Sequence, residues 1–299
     1  MFLVVLLYAV LASTFWFAKQ GVATASPCFF IGFRMTLAGL FLLAFQWWKD
    51  HRIFSKISKK DLCSFFNASL FYIYFAFVLE FWGLTYVSAI KTTMIYSLTP
   101  FISAILAYFL LKQKLSIQKI AGIALGVAGL FPVLIAQSQA EQSAGQLWSI
   151  SLPECALLTA VVSAAYAWFL IKKLIDKGYP LALINGITMF IGGILSWITS
   201  LIIEGLVPPV SDIWGFFFWI LALIFAANIV FYNLFGFLMT RYSITFLSFA
   251  GFLCPLFATF YEWILTGGNV SWHYFVCLLC VSIGLFIFYK DELRTTKQA

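Results

Sequence analysis

Runs of about twenty consecutive apolar residues recur along this chain, and they limit its fold more than any other feature. A helix rises ~1.5 Å per residue, so a run of that length crosses a ~30 Å hydrocarbon core. Backbone groups in lipid must be paired within the protein, which leaves helices or closed-barrel strands. Barrel strands are short and alternating, whereas these runs are long and continuous. Composition agrees: 63% of the 299 residues are hydrophobic and 10% charged, too few polar groups to cover a water-soluble domain. The chain is read as an all-α integral membrane protein.

The apolar segments fall at about 1–18, 28–48, 63–86, 92–111, 117–136, 153–171, 180–203, 213–239, 243–266 and 271–289. That predicts ten transmembrane helices. The longest polar stretch lies halfway, so residues 1–136 form a first five-helix unit, 137–152 a linker, 153–290 a second five-helix unit and 291–299 a tail. Ala23-Thr24-Ala25 resembles a signal-peptidase site, but no basic segment precedes the first apolar run. That run is read as the first span of the mature protein.

Lys49, Arg52, Lys56, Lys59, Lys60, Lys112, Lys114, Lys119, Lys172, Lys173, Lys177, Arg241, Lys290, Arg294 and Lys297 all fall in alternate loops or the tail. The opposite loops hold only Lys19 and Lys91, and Arg34 lies within the second span. The positive-inside rule then puts both termini in the cytoplasm, in a bacterial-type inner membrane. The net charge of +7 therefore orients the chain in a lipid bilayer, and no nucleic-acid partner is expected.

An internal repeat is also visible. Thr85-Tyr86-Val87-Ser88-Ala89 aligns with Thr240-Arg241-Tyr242-Ser243-Ile244, and the same offset sets Pro100 over Pro255 and Gly129 over Gly284. With five spans per copy, the second copy is upside down. Such a 5+5 inverted-topology repeat is the architecture of carriers whose halves rock about a central site.

Residues 70–135 resemble the C-terminal part of an EamA domain: an aromatic third span, Tyr86-Val87-Ser88-Ala89, the mid-helix Pro100, and Gly122, Gly126 and Gly129 in the fifth span. Residues 220–288 resemble the same unit through Tyr242-Ser243, Pro255 and Gly284, and Phe30 to Ala38 is similar to the arginine-bearing helix of the family. The resemblance spans the chain in two copies and points to the drug/metabolite transporter superfamily. Where that family often has an acidic residue at the ends of spans 4 and 9, this chain has Gln113 and Gly268. The resemblance implies alternating access to a cavity lined by spans other than 5 and 10. The superfamily carries amino acids, nucleotide-like metabolites, sugar phosphates and drugs.

Ionisable residues inside the hydrocarbon are costly and need a reason. Arg34, Glu80 and Glu262 are the clear cases. Arg34 and Glu80 lie at similar depth, so they either pair with each other or face a cavity. Glu262 has no partner visible in the sequence and either binds a cationic group or reaches the outer interface. Trp16, Tyr74, Tyr96, Tyr166, Asn185, Asn228, Tyr232 and Asn233 are polar or aromatic positions deep in the spans; each lines a cavity or makes an interhelical hydrogen bond. Asn228 and Tyr232 share a helix face by their spacing. The glycine stripe of span 5 serves packing within the bundle or, alternatively, a homodimer seam.

Cys277 and Cys280 form a CxxC inside an apolar span and are read as packing residues. No P-loop, HExxH, metal-ligand cluster or cofactor motif is present, so the chain is read as a non-enzyme with neither metal nor cofactor. The expected cargo is a small metabolite. Aromatic content of 20% and the two membrane carboxylates suit a flat, cationic ligand. With the resemblance they lead to S-adenosylmethionine, exchanged for S-adenosylhomocysteine, as the expected substrate. An amino acid or drug exporter is the alternative, and an intramembrane lipid-modifying enzyme the rival from another class.

Overall fold

The structure, a computed structural model, describes residues 1–87, 89–112, 116–125, 128–129, 151–205 and 208–266, together with 276, 279–280, 282–284, 286–288 and 290. Among these, all regular structure is helical: α1 (Phe2–Val22), α2 (Pro27–Lys49), α3 (Lys59–Tyr86), α4 (Ala89–Tyr96), α5 (Thr99–Leu111), α6 (Leu152–Asp176), α7 (Leu181–Ile203), α8 (Ile213–Leu238), α9 (Ile244–Ala250) and α10 (Leu253–Thr266). Among the described residues, seven stretches are long and apolar enough to cross a bilayer: α1, α2, α3, α6, α7, α8 and Ile244–Tyr261, with Thr99–Leu111 a shorter apolar helix. Residues 117–125, in expected span 5, are also helical. Gly126, Cys277, much of expected span 10, the linker up to residue 150 and the tail 291–299 lie outside the described residues.

Helix ends follow their local chemistry. Pro27 opens α2, where its fixed φ and missing N–H cost nothing. Ser151 and Glu154 form a capping box on α6, and Ser58, Asp212 and Ser243 accept from backbone N–H groups at the starts of α3, α8 and α9. Large apolar side chains such as Phe41, Trp48, Ile202, Trp214 and Phe225 point outward. In water they would be a liability, whereas in lipid they are the surface the bundle needs.

The tightest seam joins α2 and α7, and glycine makes it possible. A Cβ on Gly39 would lie 2.5 Å from Phe190 N, one on Gly193 2.6 Å from Thr36 N, one on Gly32 2.9 Å from the Trp197 ring and one on Gly186 2.9 Å from Leu43. Residue numbers rise on one helix as they fall on the other, so the pair is antiparallel. The contacts also map onto each other: positions 32, 36, 39 and 43 become 186, 190, 193 and 197 under one shift of 154 residues.

The sequence repeat reappears in backbone irregularities. A π-helical segment, Leu70–Tyr74, interrupts α3, and another, Ile224–Phe231, interrupts α8. Adding the 155-residue offset of the sequence repeat to 70–74 gives 225–229, inside the second segment. The break between α4 and α5 precedes the same structural position as the break between α9 and α10, since 89–96 and 99–111 shift to 244–251 and 254–266. Pro100 and Pro255 cause both breaks by removing a donor from the helical ladder. Thr99 Oγ1 answers the first by donating to Tyr96 O.

Side-chain ties close both ends of the bundle. At one end Asp61 of α3 accepts from Lys177 Nζ (2.5 Å) and Tyr179 Oη (2.8 Å) of the α6–α7 turn. Burial, and then Asp61, push the Tyr179 phenol pKa above its ordinary value. At the other end Glu204 accepts from Cys28 N (2.8 Å) and Phe29 N (2.9 Å) at the start of α2, and Ser211 N donates to Thr24 O (2.9 Å). Lys19 Nζ donates to Leu84 O and Val87 O (2.5 and 3.1 Å), capping the C-terminal end of α3. Gly122 lies against Gly284 O, so this part of the span 5 stripe packs within the bundle.

Candidate functional site

The irregular helices surround a central cavity of about 100 Å³ with contributions from α1, α2, α3, α5, α6, α8 and the α4–α5 and α9–α10 breaks. Discontinuous helices at a carrier midplane are where substrate sites form, because broken ladders expose polar groups only to a cavity. Here Tyr96, Thr99, Ser248, Gly251 and Cys254 reach the cavity from the two breaks.

Arg34 dominates its electrostatics. It is 1% exposed and lies over the rings of Phe77 and Phe81, at 4.9 and 5.4 Å, held there by cation–π attraction. Its Nε donates to Asn228 Oδ1 at 3.1 Å. Among the described residues its Nη2 has no hydrogen-bond partner, an arrangement a buried cation adopts only at a cost of kcal/mol order. Glu80 faces the same cavity and is also buried, with Oε2 accepting from Tyr96 Oη at 2.5 Å. Arg34 and Glu80 do not pair with each other: among the described residues the ion pairs are Lys172–Asp176 and Lys177–Asp61.

Much of the lining is aromatic. Trp168 stacks on Phe235 at 3.8 Å between centroids and meets Tyr72 edge-on at 4.8 Å; Tyr72 in turn meets Tyr232 at 5.0 Å. Tyr72 sits in the π segment of α3 and Phe231 in that of α8. A π segment adds a residue to a turn and so re-aims the side chains around it.

Of the positions singled out in the sequence, the structure brings Arg34, Glu80, Tyr96 and Tyr232 together in the cavity. Asn228 stands behind Arg34, its Nδ2 directed at the sulfurs of Met35 and Met189 at 3.1 and 3.3 Å. Asn233 Nδ2 donates to Ile229 O (2.8 Å) and Asn228 O (3.3 Å), both carbonyls of the π segment. Asn185 Nδ2 donates to Asn233 Oδ1 (3.3 Å) and Tyr72 Oη to Asn185 Oδ1 (3.5 Å), a chain that leads from the cavity to α7. Three positions sit elsewhere: Trp16 against Trp219, Tyr74 on Thr199 Oγ1 at 2.7 Å, and Tyr166 edge-on to Phe71. The side chain of Glu262 lies outside the described residues. Sequence reasoning missed Tyr8, Tyr72, Phe77, Trp168 and Phe235 among the lining residues.

A bundle of apolar helices, broken and bulged at repeat-related positions around a buried polar and aromatic cavity, is a multi-pass membrane protein of the carrier class. The chain belongs to the EamA-like transporter family, whose profile matches residues 1–135 and 151–290. A protein of Chlamydia muridarum named S-adenosylmethionine/S-adenosylhomocysteine transporter is 32% identical over 98% of this chain and 92% of its own length. One of the same name from Chlamydia trachomatis serovar L2 is 31% identical over 98% of this chain and 90% of its own length. A solved structure described only as "Crystal structure of protein" superposes with a TM-score of 0.74, covering 98% of this chain and 96% of that one. At 17% identity it speaks for the shared fold alone.

Proposed function

We propose that this protein is a secondary transporter that carries S-adenosylmethionine across the cytoplasmic membrane in exchange for S-adenosylhomocysteine. The carrying observation is the cavity itself, where one buried guanidinium, one buried carboxylate and a wall of rings converge at the helix breaks. The names of relatives aligned over nearly the whole chain point the same way. A sulfonium or an adenine ring suits the aromatic wall through cation–π and stacking contacts, and the zwitterionic amino-acid tail suits a site holding both charge signs. The two ligands share adenosine and tail and differ by one methyl and its charge, so one site serves both in turn.

The chain comprises ten transmembrane helices as a 5+5 inverted repeat, with the linker between the units. Support comes from the antiparallel glycine seam, the matched π segments and the matched proline breaks. Alternating access follows: the halves rock about the cavity and expose it to each side in turn. Both termini lie in the cytoplasm in this reading, which the concentration of Lys and Arg in alternate loops supports.

Purified protein in liposomes loaded with S-adenosylhomocysteine tests this. Saturable uptake of labelled S-adenosylmethionine, accelerated by the internal ligand, is the expected result. No uptake by folded, monodisperse protein, or equal acceleration by internal amino acids, overturns it.

A further inference from the structure

We infer that Arg34 is the carboxylate anchor of the site: its unpartnered Nη2 takes one oxygen of an α-amino carboxylate, and Asn228 is the positioning residue that aims it. This rests on the transport reading above and deepens it to a docking orientation.

Part of the guanidinium is already engaged. The guanidinium lies over the rings of Phe77 and Phe81, and Nε is committed to Asn228. Nη2 is left as a buried donor without an acceptor among the described residues, on a side chain that lines the cavity. A native protein does not keep a buried cationic donor unpaired without return, and the partner that completes it is an anion that comes and goes. Glu80 narrows its chemistry. A carboxylate in the same cavity opposes a phosphate or any purely anionic ligand, but accepts one whose anion is balanced by a neighbouring cation. An α-amino acid end has that pattern, an ammonium one carbon away from its carboxylate. The adenosine end then points to Tyr72, Trp168 and Tyr232.

Asn228 positions Arg34 through the way its amide is tied. Its Oδ1 accepts from Nε while its Nδ2 donates to two methionine sulfurs, so both ends of the amide are held and its oxygen stays directed at the guanidinium. The amide belongs to the π segment of α8, so the repeat-related irregularity fixes the direction of the anchor.

Competition against labelled S-adenosylmethionine uptake tests the proposal on the unmodified protein, so no variant has to fold. Decarboxylated S-adenosylmethionine, which lacks only the carboxylate, is expected to compete about 10- to 100-fold more weakly than S-adenosylmethionine, the range for a charge-assisted hydrogen bond. Arg34→Met is expected to bring the two competitors within about threefold, chiefly by weakening the carboxylated one. Asn228→Ala is expected to raise KM for S-adenosylmethionine with turnover nearly kept, and to leave the decarboxylated analogue unaffected. Equal competition by both ligands on the unmodified protein overturns the anchor while the transport reading stands. Discrimination that survives in a folded Arg34→Met protein assigns the carboxylate to another residue and also overturns it. Absence of S-adenosylmethionine uptake in the unmodified protein overturns the transport reading, and the anchor with it.

Discussion

Single side chains in this protein bear on either ligand contact or helix ends. Glu80 is the first kind. Its Oε2 takes the Tyr96 hydroxyl, and the carboxyl group stays in the cavity with Arg34 rather than pairing with it. Glu80→Gln keeps shape and the Tyr96 bond but removes the charge that balances a bound cation. Uptake of S-adenosylmethionine should fall by about tenfold, through KM, with the melting temperature in detergent little changed. Unchanged uptake would move cation recognition to the aromatic wall alone. Glu204 is the second kind. It satisfies two of the free N–H groups at the start of α2 from across the chain, where the helix dipole also favours an anion. Glu204→Ala should cost about 1–2 kcal/mol, read as a lower melting temperature with KM unaltered, and Glu204→Gln, which can replace only one acceptor oxygen, should fall between. Arg34 and Glu80 were legible in the sequence because charge inside a membrane helix demands a reason. Tyr72 and Trp168 were not. Where 20% of the residues are aromatic, ring type alone carries no signal. The face a ring occupies is moreover set by π segments, which shift side chains off the 3.6-residue period from which a helix face is read.

At the scale of helices, what matters is how closely two can approach. Gly39 and Gly193 place backbone against backbone: their hypothetical Cβ atoms meet Phe190 N and Thr36 N at 2.5 and 2.6 Å, atoms no rotamer change can move. Gly39→Ala should therefore force α2 and α7 apart and destabilise the protein by about 1–3 kcal/mol. Thermal melting followed by size-exclusion chromatography checks this; an unchanged melting temperature would mean that the seam yields freely. The proline breaks were legible, since Pro100 and Pro255 stand at one repeat offset in apolar runs. The seam was less so. Glycine spacing marks a helix that packs closely, but a stripe does not say which partner fills it. The pairing with α7 follows from the three-dimensional symmetry of the two copies. The choice left open for Arg34 and Glu80, pairing with each other or facing a cavity, had the same source: equal depth in two helices says nothing of how each is rotated, and their rotation gives the charges to Asn228 and Tyr96 in the cavity.

For the whole molecule, the proposed exchange has an electrical consequence independent of any single residue. S-Adenosylmethionine carries a sulfonium, an ammonium and a carboxylate, a net charge of one positive unit; S-adenosylhomocysteine, with a neutral thioether, carries none. One-for-one exchange through a cavity that supplies fixed charges and no travelling ion therefore moves one positive charge per cycle. Each 100 mV of membrane potential contributes about 2.3 kcal/mol to such a step, which corresponds to a tenfold change in the limiting concentration ratio for about 60 mV. Liposomes loaded with S-adenosylhomocysteine and clamped by a potassium gradient with valinomycin provide the measurement. An inside-negative potential should accelerate uptake of labelled S-adenosylmethionine and raise its plateau by that factor, and an inside-positive potential should depress both. A plateau indifferent to potential would require an ion to travel with one of the ligands. Glu80, buried in the cavity without an ion-pair partner among the described residues, would then be the group to test as the site that takes up the co-transported proton.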